Sequence, residues 1–238
     1  MSSRALCRAA PLLAAVHGLL LATCAIRSEQ PDLEGQTVTL TLLHTSDIHS
    51  RLIPYDIDVG EVDAGLGLDP DNAPFGGAAR LAFLVRRERA SSSRVLHVDT
   101  GDPFQGAPIF NVYEGEVEFR LLSEMGVDAM VVGNHEFDRG PDNLADKLDR
   151  WAAFTPIVAN YLFRDPDFPG NNDLGRLVRP FAIFNVRGIR VGVIGLGDVS
   201  TMHSIMETGN DAGITPLDPV TVAQWYIDFL RPSVDVIT

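Results

Sequence analysis

The sequence predicts a layered α/β domain, and three observations carry that expectation. Apolar, β-prone runs alternate with amphipathic segments of helical length from Val38 onward. Three of those runs discharge into polar turns, Asp47-Ile48-His49, Gly101-Asp102 and Gly133-Asn134-His135-Glu136. Hydrophobic residues make up 45% of the 238, enough for the core of one large domain or two small ones.

The elements follow in order. Arg4 and Arg8 precede an apolar run from Ala9 to Ala22, and the chain turns polar at Arg27-Ser28-Glu29-Gln30. This is the pattern of a secretory signal, so residues 1–25 are expected to be a signal peptide and the protein to be exported, to the periplasm or a cell-surface membrane. Leu21-Ala22-Thr23-Cys24 is similar to a bacterial lipobox, with Thr23 where a smaller residue is usual. A lipid on Cys24 would be the membrane attachment; soluble export after cleavage near Ala25 and an uncleaved anchor are the alternatives. Both cysteines, Cys7 and Cys24, fall in this segment, so the mature domain is expected to hold no disulfide. Residues 26–37 read as a linker and 38–238 as the domain.

Within the domain, Val38 to His44 is an expected strand. The stretch Ile53 to Gly76, with Asp56, Asp58, Glu61, Asp63, Asp69 and Asp71 among glycines and prolines, reads as a solvated loop. It lacks the carboxylate register of a calcium loop. A helix is expected over Gly77 to Ala90, with Leu81, Leu84 and Val85 on one face, and a strand over Arg94 to Val98. Glu116 to Met125 is a helix with Gly126 as its C-terminal cap, and Ala129 to Val132 is a buried strand. Pro141 opens a helix that turns Leu144, Leu148 and Trp151 to one side, and Pro156 to Asn160 is the next strand. Phe181–Val186 and Ile189–Gly195 flank Arg187-Gly188 and read as an antiparallel hairpin. Asp218-Pro219 starts a last helix with Val222, Tyr226 and Phe229 inward, and Val234 to Thr238 is a final strand.

The net charge is −13, with no Lys/Arg stripe, which excludes a nucleic-acid partner. An anionic ester would be repelled by such a chain unless bound cations reversed the local field. The strand ends supply ligands for such cations. In open α/β sheets the crevice beyond the carboxyl ends of the strands receives the ligand, and three strands here deliver Asp, His, Asp, Asn and His to it. Two divalent ions need a bridging carboxylate, terminal carboxylate and imidazole ligands and a neutral oxygen, and this set provides them. An imidazole beside the ions, such as His135, suits protonation of a leaving alkoxide. Phe104, Phe110 and Phe137 read as walls of the site, while His44 and His97 read as packed or hydrogen-bonded residues and His203 as a loop histidine.

The motifs Leu-Leu-His-Thr-Ser-Asp-Ile-His, Asp-Thr-Gly-Asp-Pro-Phe-Gln-Gly and Val-Gly-Asn-His-Glu-Phe-Asp resemble those of the calcineurin-like metallophosphoesterases, within them the 5'-nucleotidase and UDP-sugar hydrolase branch. The resemblance runs from about residue 38 to 238. It implies the layered sandwich of that family, mixed β-sheets flanked by helices. It also implies Asp47 and His49 on a first metal, Asp102 bridging, Asn134 on a second metal, and His135 acting at the transition state with Asp138 orienting it. The cofactors implied are two divalent ions, Mn, Zn, Co, Fe or Mg, and the substrate a nucleotide or other small phosphoester. The family completes its site with a further His and a Gly-His-x-His, and its branch adds a C-terminal domain. The chain is therefore expected to stop before the last metal-ligand motifs, the rest lying in a longer protein. Hydrolysis of a sulfur ester on the same fold, or a noncatalytic binding role, are the alternative readings.

Overall fold

The computed structural model describes residues 31–163, 169–201 and 214–238. Contacts divide the chain into Met1–Asp32 and Leu33–Thr238, and the fold described is that of the second unit. The expected signal segment and lipobox, and His203, lie outside the described residues.

Four short apolar runs form the first sheet: β1 (Thr41–Thr45), β2 (Val95–Asp99), β3 (Ala129–Val131) and β4 (Thr155–Ile157). They are parallel and lie side by side in chain order. Parallel neighbours require crossovers, which here run through α1 (Glu61–Gly65) and α2 (Ala78–Ser91), then α3 (Pro108–Tyr113) and α4 (Glu116–Met125), then α5 (Gly140–Trp151). Beyond it come β5 (Tyr161–Leu162), α6 (Pro169–Leu177), β6 (Phe181–Val186), β7 (Ile189–Ile194), β8 (Thr215–Pro216), α7 (Pro219–Leu230) and β9 (Val236–Ile237). Antiparallel β6 and β7, with β9 parallel to β7, make a second sheet, and β5 pairs with β8.

Side-chain alternation along the first sheet separates two cores. Leu96, Ala129 and Ile157 face one way and pack with Val186, Ile189, Val191 and Val193 of the second sheet. Met130 and Val158 face the other way, into a larger cluster with Phe104, Phe119, Leu122, Phe137, Leu144 and Leu148. The expected sandwich is thus present, with a helical layer on one face of the parallel sheet and a mixed sheet on the other. Among the described residues no helix is long and apolar enough to cross a membrane.

Local signals behave as their chemistry predicts. Gly126 caps α4 in the left-handed conformation, its N–H meeting Ser123 O at 3.0 Å. Asp218 caps α7 by accepting Thr221 N–H at 2.8 Å. Arg187 and Gly188 both have positive φ, as a two-residue hairpin turn requires.

Several expectations are corrected. The first strand starts at Thr41, although Val38 and Leu40 still pack against the second core. The fourth ends at Ile157, because Val158 N–H turns to Arg179 O and Ala159 N–H to Gly195 O. The acidic loop holds α1, a 3-10 turn over Pro70–Asn72 and a bridge between Tyr55 and Phe75. On α7 the inward stripe is Val222 and Leu230; Phe229 is 67% exposed, its ring tilted against that of Phe181 at a centroid separation of 5.8 Å. Leu84 on α2 also faces out, leaving Val85 as that helix's buried residue.

Candidate metal centre

Every chemistry-bearing loop leaves the carboxyl end of a strand in the parallel sheet. Asp47 and His49 follow β1, Asp102 follows β2, and Asn134, His135 and Asp138 follow β3. These strands are neighbours, so the loops converge on one crevice.

Pairing of β1 and β2 continues past the strand ends. Thr100 N–H donates to Thr45 O and Asp47 N–H to Gly101 O, both at 3.0 Å; His49 N–H reaches Asp102 O at 3.1 Å and Ser50 N–H reaches Pro103 O at 2.9 Å. To follow this path Asp47 (φ 52°), His49 (47°), Ser50 (54°) and Asp102 (54°) enter the left-handed region. Asp and His tolerate it better than most residues. The strain, on the order of 1–3 kcal/mol per residue, persists only because the surrounding bonds fix these positions.

The third loop is fastened to the second by Glu136. Its Oε2 accepts Gly133 N–H at 2.7 Å and Asp102 N–H at 3.2 Å, while Oε1 is buried without a partner. Burial, then the charge of Asp102, hold this carboxyl well above its usual range. Asp102 Oδ1 in turn accepts His135 N–H at 3.0 Å. Gly133 makes the approach possible: a Cβ there would lie 2.4 Å from Asp102 Oδ1.

The hydrogen bonds of the two imidazoles fix their tautomers. His49 Nδ1 faces the carbonyl of Phe104 at 3.2 Å and His135 Nδ1 faces Asp138 Oδ2 at 2.8 Å. Both partners can only accept, so each Nδ1 carries the hydrogen and each Nε2 presents a lone pair. Ligand atoms of His49, Asp102 and His135 lie within 4.8 Å of one another, and the two rings meet edge to face at 5.1 Å. Asp47 Oδ1 stands 3.6 Å from His49 Nε2, on a side chain open to solvent. Asn134 is half-buried and its amide makes no capping bond to the 3-10 turn over His135–Phe137 that it precedes. Carboxylates, imidazoles with free Nε2 and an uncommitted amide oxygen are the donors a first-row divalent ion selects, so the residues present fit such an ion.

The structure thus joins His49 to Asp47, to Asp102 and to His135, and His135 to Asp138. His44 and His97 are hydrogen-bonded through Nε2 to Thr100 and Thr45, at 3.1 Å each, away from this cluster. Burial, aided by Arg89, lowers the His97 pKa to about 4. The three phenylalanines expected as site walls are core residues: Phe104, Phe110 and Phe137 are at most 2% exposed. They support the loops from below.

Sequence reasoning gave no role to Glu136, nor to Asp99, which is 1% exposed and whose pKa burial raises to about 6. It also passed over Glu118, which is buried on the face of α4 shared with Leu122 and Met125 and faces Ser50. A carboxylate at an apolar helical position was the one available signal for Glu118.

Comparison with known proteins extends this picture. The snake venom 5'-nucleotidase of Naja atra is 38% identical over 66% of this chain and 28% of its own length. The 5'-nucleotidase of Rattus norvegicus is 36% identical over 74% of this chain and 29% of its own. Among solved structures, the 5'-nucleotidase precursor of Thermus thermophilus superimposes with a TM-score of 0.71 at 36% identity, covering 84% of this chain and 36% of that one. The chain therefore spans under a third of the curated relatives it matches. Residues 40–216 match the calcineurin-like phosphoesterase family, and with the three loops converged on one crevice as described, this chain belongs to that family.

Proposed function

We propose that this chain carries the hydrolytic centre of a 5'-nucleotidase-like phosphoesterase acting on nucleotides outside the cytoplasm with two divalent metal ions. The observation that carries the reading is the cluster of His49, Asp102 and His135, whose ligand atoms lie within 4.8 Å of one another while both Nδ1 atoms are held from behind. Asp47 and His49 would hold one ion, Asn134 the other, and Asp102 both. When bound, such ions bring a water into its hydroxide form near neutral pH and draw charge from the phosphoryl oxygens. The chain's own residues do the rest. Asp138 accepts the Nδ1 hydrogen of His135 at 2.8 Å and fixes the ring, which leaves Nε2 as the atom that would pass a proton to the leaving oxygen. Ions in the crevice would also offset the repulsion between a −13 chain and an anionic substrate. The names of the curated relatives support a nucleotide substrate, and the basic-then-apolar N-terminus and a relative from venom support export.

The test is phosphate release from 5'-AMP, with 3'-AMP and a synthetic diester as comparators, by metal-stripped chain reloaded with Mn, Co or Zn. The expectation is 5'-selective release that chelation abolishes and that Asp102→Ala and His135→Ala remove. Release indifferent to chelator or to both substitutions would overturn the proposal.

A further inference from the structure

Below the loops, three polar side chains stand in a row between β1 and β2. The parallel register sets Thr45 beside Asp99, and His97 lies two residues back on the same face of β2. Thr45 Oγ1 is 2.6 Å from Asp99 Oδ2 and 3.1 Å from His97 Nε2. Asp99 Oδ1 accepts Gly101 N–H at 2.9 Å. His97 is fully buried and Asp99 nearly so, while strand neighbours Leu43, Leu96 and Val98 are apolar.

The directions of these bonds follow from counting hydrogens. An ionised Asp99 only accepts, so the single Thr45 hydroxyl hydrogen goes to it. The Thr45 oxygen must then accept from His97, which places the imidazole hydrogen on Nε2 and leaves Nδ1 as an unpartnered lone pair. On the main chain, the backbone N–H of His97 donates to Asp128 Oδ2 at 2.8 Å. The row runs from His97 through Thr45 to Asp99 and ends on the Gly101 amide. Gly101 is the residue whose carbonyl receives Asp47 N–H, and its neighbour Thr100 donates to Thr45 O. Its φ of 94° leads directly into the left-handed Asp102.

We propose that Thr45 and Asp99, oriented by His97, are positioning residues whose hydrogen bonds, the one to Gly101 fully buried, set the conformation of Gly101 and so the relative placement of Asp47 and Asp102. The inference rests on the reading of Asp47 and Asp102 as metal ligands only for its effect on metal binding. Its effect on the loops is independent of that reading. A packing role would be served by an apolar residue of the same shape; His97 and Asp99 are tolerated in the interior because each bonds the half-buried Thr45 hydroxyl, and those bonds have direction that dispersion contacts lack.

The experiment compares the whole chain with Thr45→Val, which keeps the shape, Thr45→Ser, which keeps the hydroxyl, and Asp99→Asn. Hydrogen–deuterium exchange is followed in peptides covering residues 45–50 and 99–104, and Co(II) affinity by visible absorbance. Thr45→Val is expected to exchange about 10-fold faster in those two loops, with α5 and the β6–β7 hairpin unchanged, and to bind Co(II) roughly 10–100-fold more weakly. Thr45→Ser restores both. Unchanged loop exchange in Thr45→Val, uniform acceleration across the chain, or failure of Thr45→Ser to restore protection would overturn the proposal. Should Thr45→Val fail to fold, the same criteria apply to Asp99→Asn. Absence of Co(II) binding by the unaltered chain would overturn the metal reading alone, and the exchange comparison would still decide this one.

Discussion

Gly133→Ala offers a direct way to disturb Asp102, the proposed bridging carboxylate, without replacing any proposed ligand. The backbone at Gly133 needs no left-handed φ, so alanine is allowed there by conformation. The added methyl would lie 2.4 Å from Asp102 Oδ1, 3.1 Å from its Cγ and 3.0 Å from Glu136 Oε2. Carbon and oxygen rest at about 3.3–3.6 Å, so the Asp102 carboxylate must move by about 1 Å. It cannot do so freely, since Oδ1 also holds His135 N–H at 3.0 Å. Crowding of this kind costs about 1–3 kcal/mol of stability. Metal ligands tolerate only about 0.5 Å, so affinity for Mn or Co should fall on the order of 100-fold. Gly65→Ala is the control, because its Cβ would meet nothing within 4 Å. Metal titration monitored by cobalt absorbance, alongside thermal unfolding, reads both effects. A Gly133→Ala protein that melts earlier yet binds metal as tightly as the parent would refute the placement of Asp102 in the metal centre.

Three further outcomes are expected. Asp138→Asn should lower the rate of phosphate release about 10–100-fold while metal affinity is retained, because the hydrogen bond that orients the His135 ring is weakened; equal loss of metal would move His135 into the ligand set. For His97 the folded pKa of about 4 lies below the usual 6.5, so the fold favours the neutral ring. Its stabilisation is then complete above pH 6.5 and lost as pH falls from 6.5 towards 4, on the order of 3 kcal/mol relative to His97→Gln in denaturant titrations. Asp99 titrates in the opposite sense in that window but is common to both proteins; a pH-independent difference would refute the assignment. Phe119→Ala should cost about 3–5 kcal/mol in the same assay, since its fully buried ring packs at 4.7 Å from Phe104 and 5.4 Å from Phe154; a near-neutral effect would mean the core collapses around it.

What the sequence disclosed is uneven, for physical reasons. Residue types and strand–turn spacing are local, so the gathering of Asp47, His49, Asp102, Asn134 and His135 at the ends of neighbouring strands was legible in the sequence. The hairpin over Phe181–Ile194 was legible because Arg187-Gly188 fixes its register. The boundary after Ile157 was hidden because it depends on Arg179 and Gly195, which come later in the chain. Glu136 was hidden for a similar reason. Its partners are main-chain amides, one of them at Asp102, and amide orientation leaves no trace in residue types. Phe104 and Phe137 misled because closeness in sequence to a ligand does not say on which side of the loop a ring falls.

The bonds that carry β1–β2 pairing into the loops make the sheet the ruler of the centre. Parallel strands repeat at about 4.8 Å, and loops clamped to that repeat cannot choose their own separation. The relative placement of Asp47 and Asp102 is thereby a property of main-chain geometry, before any side chain is selected. The side chains decide which element sits at each mark; the marks belong to the polypeptide.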